Sequence, residues 1–157
     1  MGTNKGLKIG FDFDGVLCSL DTPMLIWIAS YKNKEVAKMM EEWYYRDQKS
    51  LLDANLFLSD EDEMFIITGR PKYLYDISKI WVDKFYPKAH LELVGEQTMS
   101  NSPKDKNKWF NHAECKAKRI NELELDVYFD DEPETINDLR KLCPNTKIIK
   151  YGGRVEL

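Results

Sequence analysis

Cysteine and histidine are scarce in this chain, three and two residues respectively, and that scarcity excludes several chemistries. Cys18, Cys115 and Cys143 are odd in number and lack the spacing of metal ligands, so neither a disulfide framework nor a thiolate metal centre is expected. Reduced thiols in a cytosol are the simpler reading. His90 and His112 are too isolated to form a histidine metal site. Basic charge is not in excess either. A net charge of -4 lacks the global positive footprint of a non-specific nucleic-acid binder, although it leaves room for a local basic patch. Long apolar runs are missing as well, and none approaches the roughly 18 residues that span a bilayer. The opening Met1-Gly2-Thr3-Asn4-Lys5-Gly6 has no apolar segment of the signal-peptide kind and reads as a frayed tail. By elimination the expected localisation is cytoplasmic, with no membrane partner. What the chain does have is 43% hydrophobic and 32% charged residues over 157 positions. That is enough apolar material for a core, so we expect one globular domain across 1–157.

The most informative stretch is Leu7-Lys-Ile-Gly-Phe-Asp12-Phe-Asp14-Gly15-Val16-Leu17. A buried-strand pattern runs into two carboxylates two residues apart, which on an extended backbone lie on the same side. Gly15 then permits a sharp turn. Carboxylates so close repel unless a cation or a proton settles the charge, which points to a metal-dependent site at the end of a strand.

Four further strands are expected. They are Glu63–Thr68 running into Gly69-Arg70, His90–Val94 stopping at Gly95, Leu125–Phe129 running into Asp130-Asp131, and Thr146–Tyr151 stopping at Gly152-Gly153. Helical spacing links Leu74, Ile77, Trp81 and Phe85 within 73–86. It also links Ala113, Ile120 and Leu123 within 112–123, and Ile136, Leu139 and Leu142 within 133–142, where Pro133 suits a first turn. Short apolar strands alternating with helices argue for a parallel sheet covered on both faces, whose ligands bind at the carboxyl ends of the strands. All three polar clusters, Asp12-x-Asp14, Thr68-Gly69-Arg70 and Asp130-Asp131, fall on that edge. Residues 21–60 are too long for a plain crossover. Thr22-Pro23 reads as a helix cap followed by a first-turn proline, and Met24, Trp27, Ile28, Tyr31, then Val36, Met39, Met40, Trp43, repeat at helical spacing. This is read as a small helical cap. The polar loop 96–111, with Lys104, Lys106 and Lys108, is expected to be the most mobile segment.

Asp12-Phe-Asp14-Gly15-Val16-Leu17 resembles the first motif of the haloacid dehalogenase (HAD) superfamily of phosphohydrolases. Ile66-Ile-Thr68-Gly69-Arg70 resembles its second motif and Asp130-Asp131 its fourth. The third is a lysine near the start of the preceding helix. Lys116 shares a helix face with Ile120 and is preferred, with Lys118 in reserve. The resemblance covers nearly the whole chain. It implies a three-layer, Rossmann-like α/β fold with a parallel five-stranded sheet ordered 5-4-1-2-3 and a small helical cap insertion. It also implies Mg²⁺-dependent hydrolysis of a phosphate monoester through an aspartyl-phosphate. Phosphoryl transfer needs a nucleophile, charge neutralisation and a proton for the leaving group. The resemblance assigns Asp12 as nucleophile and metal ligand, and Asp14 as acid–base residue that also offers its main-chain carbonyl to the metal. Thr68 would hold the phosphate, Lys116 would balance charge, and Asp130 or Asp131 would complete the oxygen donors that Mg²⁺ prefers. Gly69 and Arg70 are expected at the substrate, although Arg70 could equally pair with a neighbour.

The Thr-Gly-Arg and Asp-Asp forms, with Val16 in place of the commoner threonine, resemble nucleotidases and polynucleotide phosphatases. A small phosphorylated, nucleotide-like molecule or a nucleic-acid end is therefore the leading substrate expectation. A sugar-phosphate phosphatase or phosphomutase, and a non-catalytic HAD-like binding protein, are the alternatives. Plainer readings also stand: Asp130-Asp131 before Glu132-Pro133 could cap the last helix. The aromatics Trp27, Tyr31, Trp43, Tyr44 and Tyr45 are read as packing rather than as a surface for stacking bases.

Overall fold

The computed structural model describes residues 6–95 and 112–151. Loop 96–111, Met1–Lys5 and Gly152-Gly153 lie outside the described residues. Five strands, β1 (Lys8–Phe11), β2 (Glu63–Pro71), β3 (His90–Gly95), β4 (Val127–Asp130) and β5 (Lys147–Lys150), form one sheet in the order β3-β2-β1-β4-β5. All its pairings are parallel. Read from the other edge, this is the expected 5-4-1-2-3.

The alternation of side chains along a strand explains the layers. In β2, Met64 and Ile66 enter a core shared with Trp81 and Val82 of α3 (Tyr75–Phe85), while Phe65 and Ile67 enter the opposite one. That second core holds Ala117 and Ile120 of α4 (His112–Leu123) and Ile136 and Leu139 of α5 (Pro133–Leu142). A three-layer α/β fold results, with helices on both faces of the sheet. The helix 112–123 expected from the sequence is observed with those bounds.

Between β1 and β2 lie α1 (Thr22–Ala29) and α2 (Lys34–Arg46). Asp21, one residue earlier than expected, caps α1: its side chain accepts from the Met24 N–H at 3.0 Å, and Pro23 sits in the first turn. The flanks of this pair are zipped together. Ser19 N–H donates to the Lys49 carbonyl, and Leu51 and Leu52 N–H donate to the Leu17 and Val16 carbonyls. Beyond the zipper, Leu52 and Ala54 are buried in the body of the protein with Phe11 and Phe13. The packing expectation for the aromatics holds for Tyr45 but fails for Trp27 and Trp43, which are 52% and 53% exposed. The spacing was helical, but α1 is apolar on nearly all sides and only Ile28 is buried. Among the described residues, no helix is long and apolar enough to cross a membrane.

Candidate active site

β1 ends at Phe11, and the chain then turns rather than continuing as a strand. Leu17 and Cys18 N–H both donate to the Phe13 carbonyl, and Gly15 N–H donates to the Cys18 carbonyl. The turn separates two carboxylates that an extended backbone would have kept side by side. Asp12 faces Lys116, with Nζ 3.1 Å from Oδ1. Asp14 faces Arg70 instead, whose Nε and Nη2 donate to Oδ2 and Oδ1 at 2.8 and 2.7 Å.

Around Asp12 the charges converge. Lys116 is 6% exposed, and its Nζ also donates to Asp130 Oδ2 at 2.9 Å. Lys118, by contrast, is exposed. Lys116 reaches inward because it shares a face of α4 with Ala113 and Ile120, both buried against the sheet. Burial opposes its charge, but Asp12 and Asp130 more than offset this and push its ammonium above the usual lysine value. Burial pushes the Asp12 carboxyl well above the usual range; Lys116 opposes this, while Asp130, Asp131 and Asp14 add to it.

The acidic pair divides its labour. Asp130 Oδ1 accepts from the N–H groups of Asp131 and Glu132 at 2.8 and 3.1 Å, and Oδ2 accepts from Lys116 and from the Tyr128 hydroxyl at 2.9 and 3.2 Å. Its four acceptor positions are thus occupied. Asp130 holds the turn that leads to α5 and anchors Lys116 as well. Neither aspartate caps the helix as the plainer reading had it: its N-cap is Glu132, with no side-chain capping bond. Asp131 is only half-buried and reaches the Asp12 carboxylate. Oxygens of Asp12, Asp130 and Asp131 lie within 4.8 Å of one another. The Asp14 carboxylate stands apart from this trio, although the Gly15 main chain runs against it: a Cβ on Gly15 would come 2.2 Å from Asp131 Oδ2.

At the end of β2, one extra residue is accommodated between Thr68 and Pro71 relative to Leu93–Gly95 of β3. The strand therefore runs past the expected end at Thr68. Gly95 permits this, because a Cβ there would meet the Gly69 and Arg70 carbonyls at 2.4 Å. The irregularity re-aims Arg70 inward, as bulges do. Its guanidinium is stacked between the rings of Phe13 and Tyr45, with the central carbon 3.9 and 4.5 Å from their centroids, and bonds Ser78 and Gln48 as well as Asp14. Of its two expected roles, substrate contact and pairing with a neighbour, the geometry presents the second. Burial works against the Asp14 charge, yet the Arg70 charge and fork, with hydrogen bonds from Gln48 and Cys18, hold this carboxyl below the usual range. Thr68 is buried with its hydroxyl accepting from the Arg70 N–H at 3.2 Å.

Three residues that sequence reasoning had not placed here join the site. Gln48 and Tyr45 come from the end of α2 and the turn after it, and no local pattern points to them. His112, set aside as isolated, sits four residues before Lys116 and so on the same helix face. Its Nδ1 lies 2.1 Å from where a Gly69 Cβ would be. Its position one turn before Lys116 was the signal that could have found it. Cys18 is buried beside Asp14, where burial pushes its thiol far above the usual value, so it is no nucleophile. A cavity of about 840 Å³ lies elsewhere. It is lined by Ser59, Asp62, Glu63, Tyr86 and Lys88 at the amino ends of the strands.

No protein-family model matches the sequence, and a search of curated proteins returns no match. Solved structures do share the fold. A chain of the Pnkp1/Rnl/Hen1 RNA repair complex superposes with a TM-score of 0.59 at 15% identity, covering 96% of this chain and 44% of that one. The present chain therefore spans less than half of that chain's length. A HAD-superfamily hydrolase, subfamily IA, variant 1, from Geobacter sulfurreducens PCA gives 0.51 at 12% identity, covering 96% of this chain and 89% of that one. The HAD domain of effector protein Lem4 from Legionella pneumophila gives 0.50 at 12%, covering 95% and 86%. At such identities the likeness is one of fold: the chain is built like HAD domains.

Proposed function

We propose that this protein is a Mg²⁺-dependent phosphatase that hydrolyses a phosphate monoester through an aspartyl-phosphate on Asp12. The observation that carries the reading is the convergence of Asp12, Lys116, Asp130 and Asp131, from three separate elements, at one sheet edge. Hard oxygen donors within 4.8 Å of one another, one of them with its carboxyl pushed well up by burial and crowding, suit a small divalent cation. Asp12 and Asp131 would hold Mg²⁺, with the main-chain carbonyl of Asp14. Bound there, it would neutralise charge on the phosphoryl group.

The remaining chemistry belongs to the chain. The Asp12 carboxylate attacks phosphorus, Asp14 gives a proton to the leaving oxygen as its bond to phosphorus breaks, and the phosphoryl group moves onto Asp12. Thr68 and Gly69 present a hydroxyl and main-chain N–H groups to the phosphate oxygens, while Lys116 offsets the developing charge. Asp14, ionised and fixed by Arg70, removes a proton from the water that then attacks phosphorus and returns Asp12 to its carboxylate. A nucleotide or a nucleic-acid end is the substrate we favour. The fold likeness to an RNA repair chain supports it, and so does a cap of only two helices, which leaves room for a long substrate. Purified protein should release phosphate from p-nitrophenyl phosphate with Mg²⁺ and lose that activity in EDTA. Among nucleoside monophosphates, 3′-phosphorylated oligonucleotides and sugar phosphates, the nucleic-acid-derived members should be preferred. Activity confined to sugar phosphates overturns the substrate, and no Mg²⁺-dependent release from any of them overturns the enzyme.

Gly15 offers a second check on the cation site. Its φ of +85° is unfavourable for any residue with a Cβ, and that Cβ would press on Asp131. Gly15→Ala is expected to cost about 1–3 kcal/mol and to weaken Mg²⁺ binding, both readable from denaturation curves with and without the metal. Unchanged Mg²⁺ stabilisation would exclude Asp131 as a ligand.

A further inference from the structure

The network around Asp14 draws one of its hydrogen-bonding side chains, Gln48, from the helical insertion rather than from the sheet or its flanking helices. Gln48 follows α2, 34 residues from Asp14, and is 6% exposed. Its Nε2 donates to Asp14 Oδ1 at 2.9 Å and to the Ser19 carbonyl at 2.7 Å, and its Oε1 accepts from Arg70 Nη2 at 2.6 Å. Its own carbonyl accepts from Trp81 Nε1 at 2.8 Å, which ties the backbone to α3. The amide has one workable orientation. Flipped, it would set its NH₂ against the guanidinium and its oxygen against the carboxylate. Both Asp14 oxygens are thereby engaged by fixed donors, and Arg70 is held on its far side by Ser78 at 2.8 Å and on its faces by Phe13 and Tyr45. Buried networks in which every group is satisfied specify one geometry, and losing a member loosens the rest.

We propose that Gln48 is a positioning residue through which the helical insertion fixes the Asp14–Arg70 pair for the water-activating half of the reaction. The inference rests on the phosphatase reading above. In the first half-reaction the Asp12 oxygen bonds phosphorus and the leaving oxygen departs; an aryl oxide needs no proton to leave. In the second, Asp14 takes a proton from water, whose oxygen bonds phosphorus as the bond to Asp12 breaks. A base held askew therefore slows only the second half.

Gln48→Met keeps the length of the side chain and removes its hydrogen bonds. Rapid-quench experiments with labelled p-nitrophenyl phosphate separate the two halves as formation and decay of protein-bound phosphate. In the variant, formation should stay within about twofold of wild type. Decay should slow roughly tenfold, a part of what a positioned base supplies, so that kcat falls while kcat/KM holds. Gln48→Glu, which sets a like charge against Asp14 and competes for Arg70, should slow the same step if the methionine variant fails to fold. Equal slowing of formation and decay, or unchanged decay, overturns the proposal and leaves the phosphatase reading intact. A wild-type protein that never acquires label overturns both.

Discussion

Asp12→Asn is expected to lower Mg²⁺-dependent phosphate release by roughly 10⁴-fold or more, the scale on which enzymes lose rate with their nucleophile, and at the same time to stabilise the metal-free protein. The second effect follows from where Asp12 lies. Burial first, and then the charges of Asp130, Asp131 and Asp14, raise its carboxyl well above the ordinary 3.8 despite Lys116. A carboxyl whose value is raised on folding binds its proton more tightly in the folded state. Its contribution to stability therefore falls as pH rises from 3.8 through the folded value, and the cost persists above it. At pH 7 in EDTA the asparagine variant, free of that charge, should melt higher by about 2–4 °C, the shift that about 1 kcal/mol produces in a domain of this size. Mg²⁺ should raise the melting temperature of the wild type and leave the variant nearly unmoved. Turnover that survives the substitution removes Asp12 as nucleophile. A variant that melts lower than wild type in EDTA at pH 7 removes the crowding argument.

Lys116→Met carries the largest expected loss of stability. The side chain fits the same channel beside Ala113 and Ile120, but two buried carboxylates lose their counter-charge. Removing one partner of a buried ionic cluster typically costs about 3–5 kcal/mol, a large share of the roughly 5–15 kcal/mol by which domains are stable. Folding raises the lysine above its usual 10.5, so its stabilisation is fully present below 10.5 and fades only as pH rises through the higher folded value. Across pH 5–9 the lysine itself does not titrate, and the wild type keeps the whole contribution. The variant should therefore be weakest near neutrality and recover as acid protonates Asp12. Urea denaturation at pH 7 and pH 5 measures this directly. Lys118→Met, on the exposed face of α4, should stay within about 0.5 kcal/mol of wild type. A comparable loss in both variants would show that the cost came from the helix and not from the buried charges.

The order of elements was legible because each strand and helix advertises itself locally. Met64, Ile66 and Phe65, Ile67 alternate because both faces of β2 are covered. Ala113, Lys116 and Ile120 recur on one face of α4 because that face meets the sheet. The strand ends bearing Asp12, Thr68 and Asp130 followed from the parallel topology. Less legible was the end of β2. Gly69-Arg70-Pro71 has no apolar rhythm, and it remains strand only because Gly95 of the neighbouring strand lets two backbones approach. The exposed tryptophans of the insertion went the other way: helical spacing says that residues share a face, but whether anything covers that face depends on a neighbour far along the chain.

By itself, then, the sequence determined an α/β sheet with three polar clusters at one edge, because periodicity and parallel topology are local or nearly so. The partners of each charge were decided only by the tertiary structure. Asp12 and Asp14 are two residues apart, yet a turn at Phe13 sends one to Lys116 and the other to Arg70, 56 positions away. Gln48 completes that second pair from within the insertion. Hydrogen bonds and ion pairs act over a few ångströms and are indifferent to separation along the chain, so packing alone assigns them.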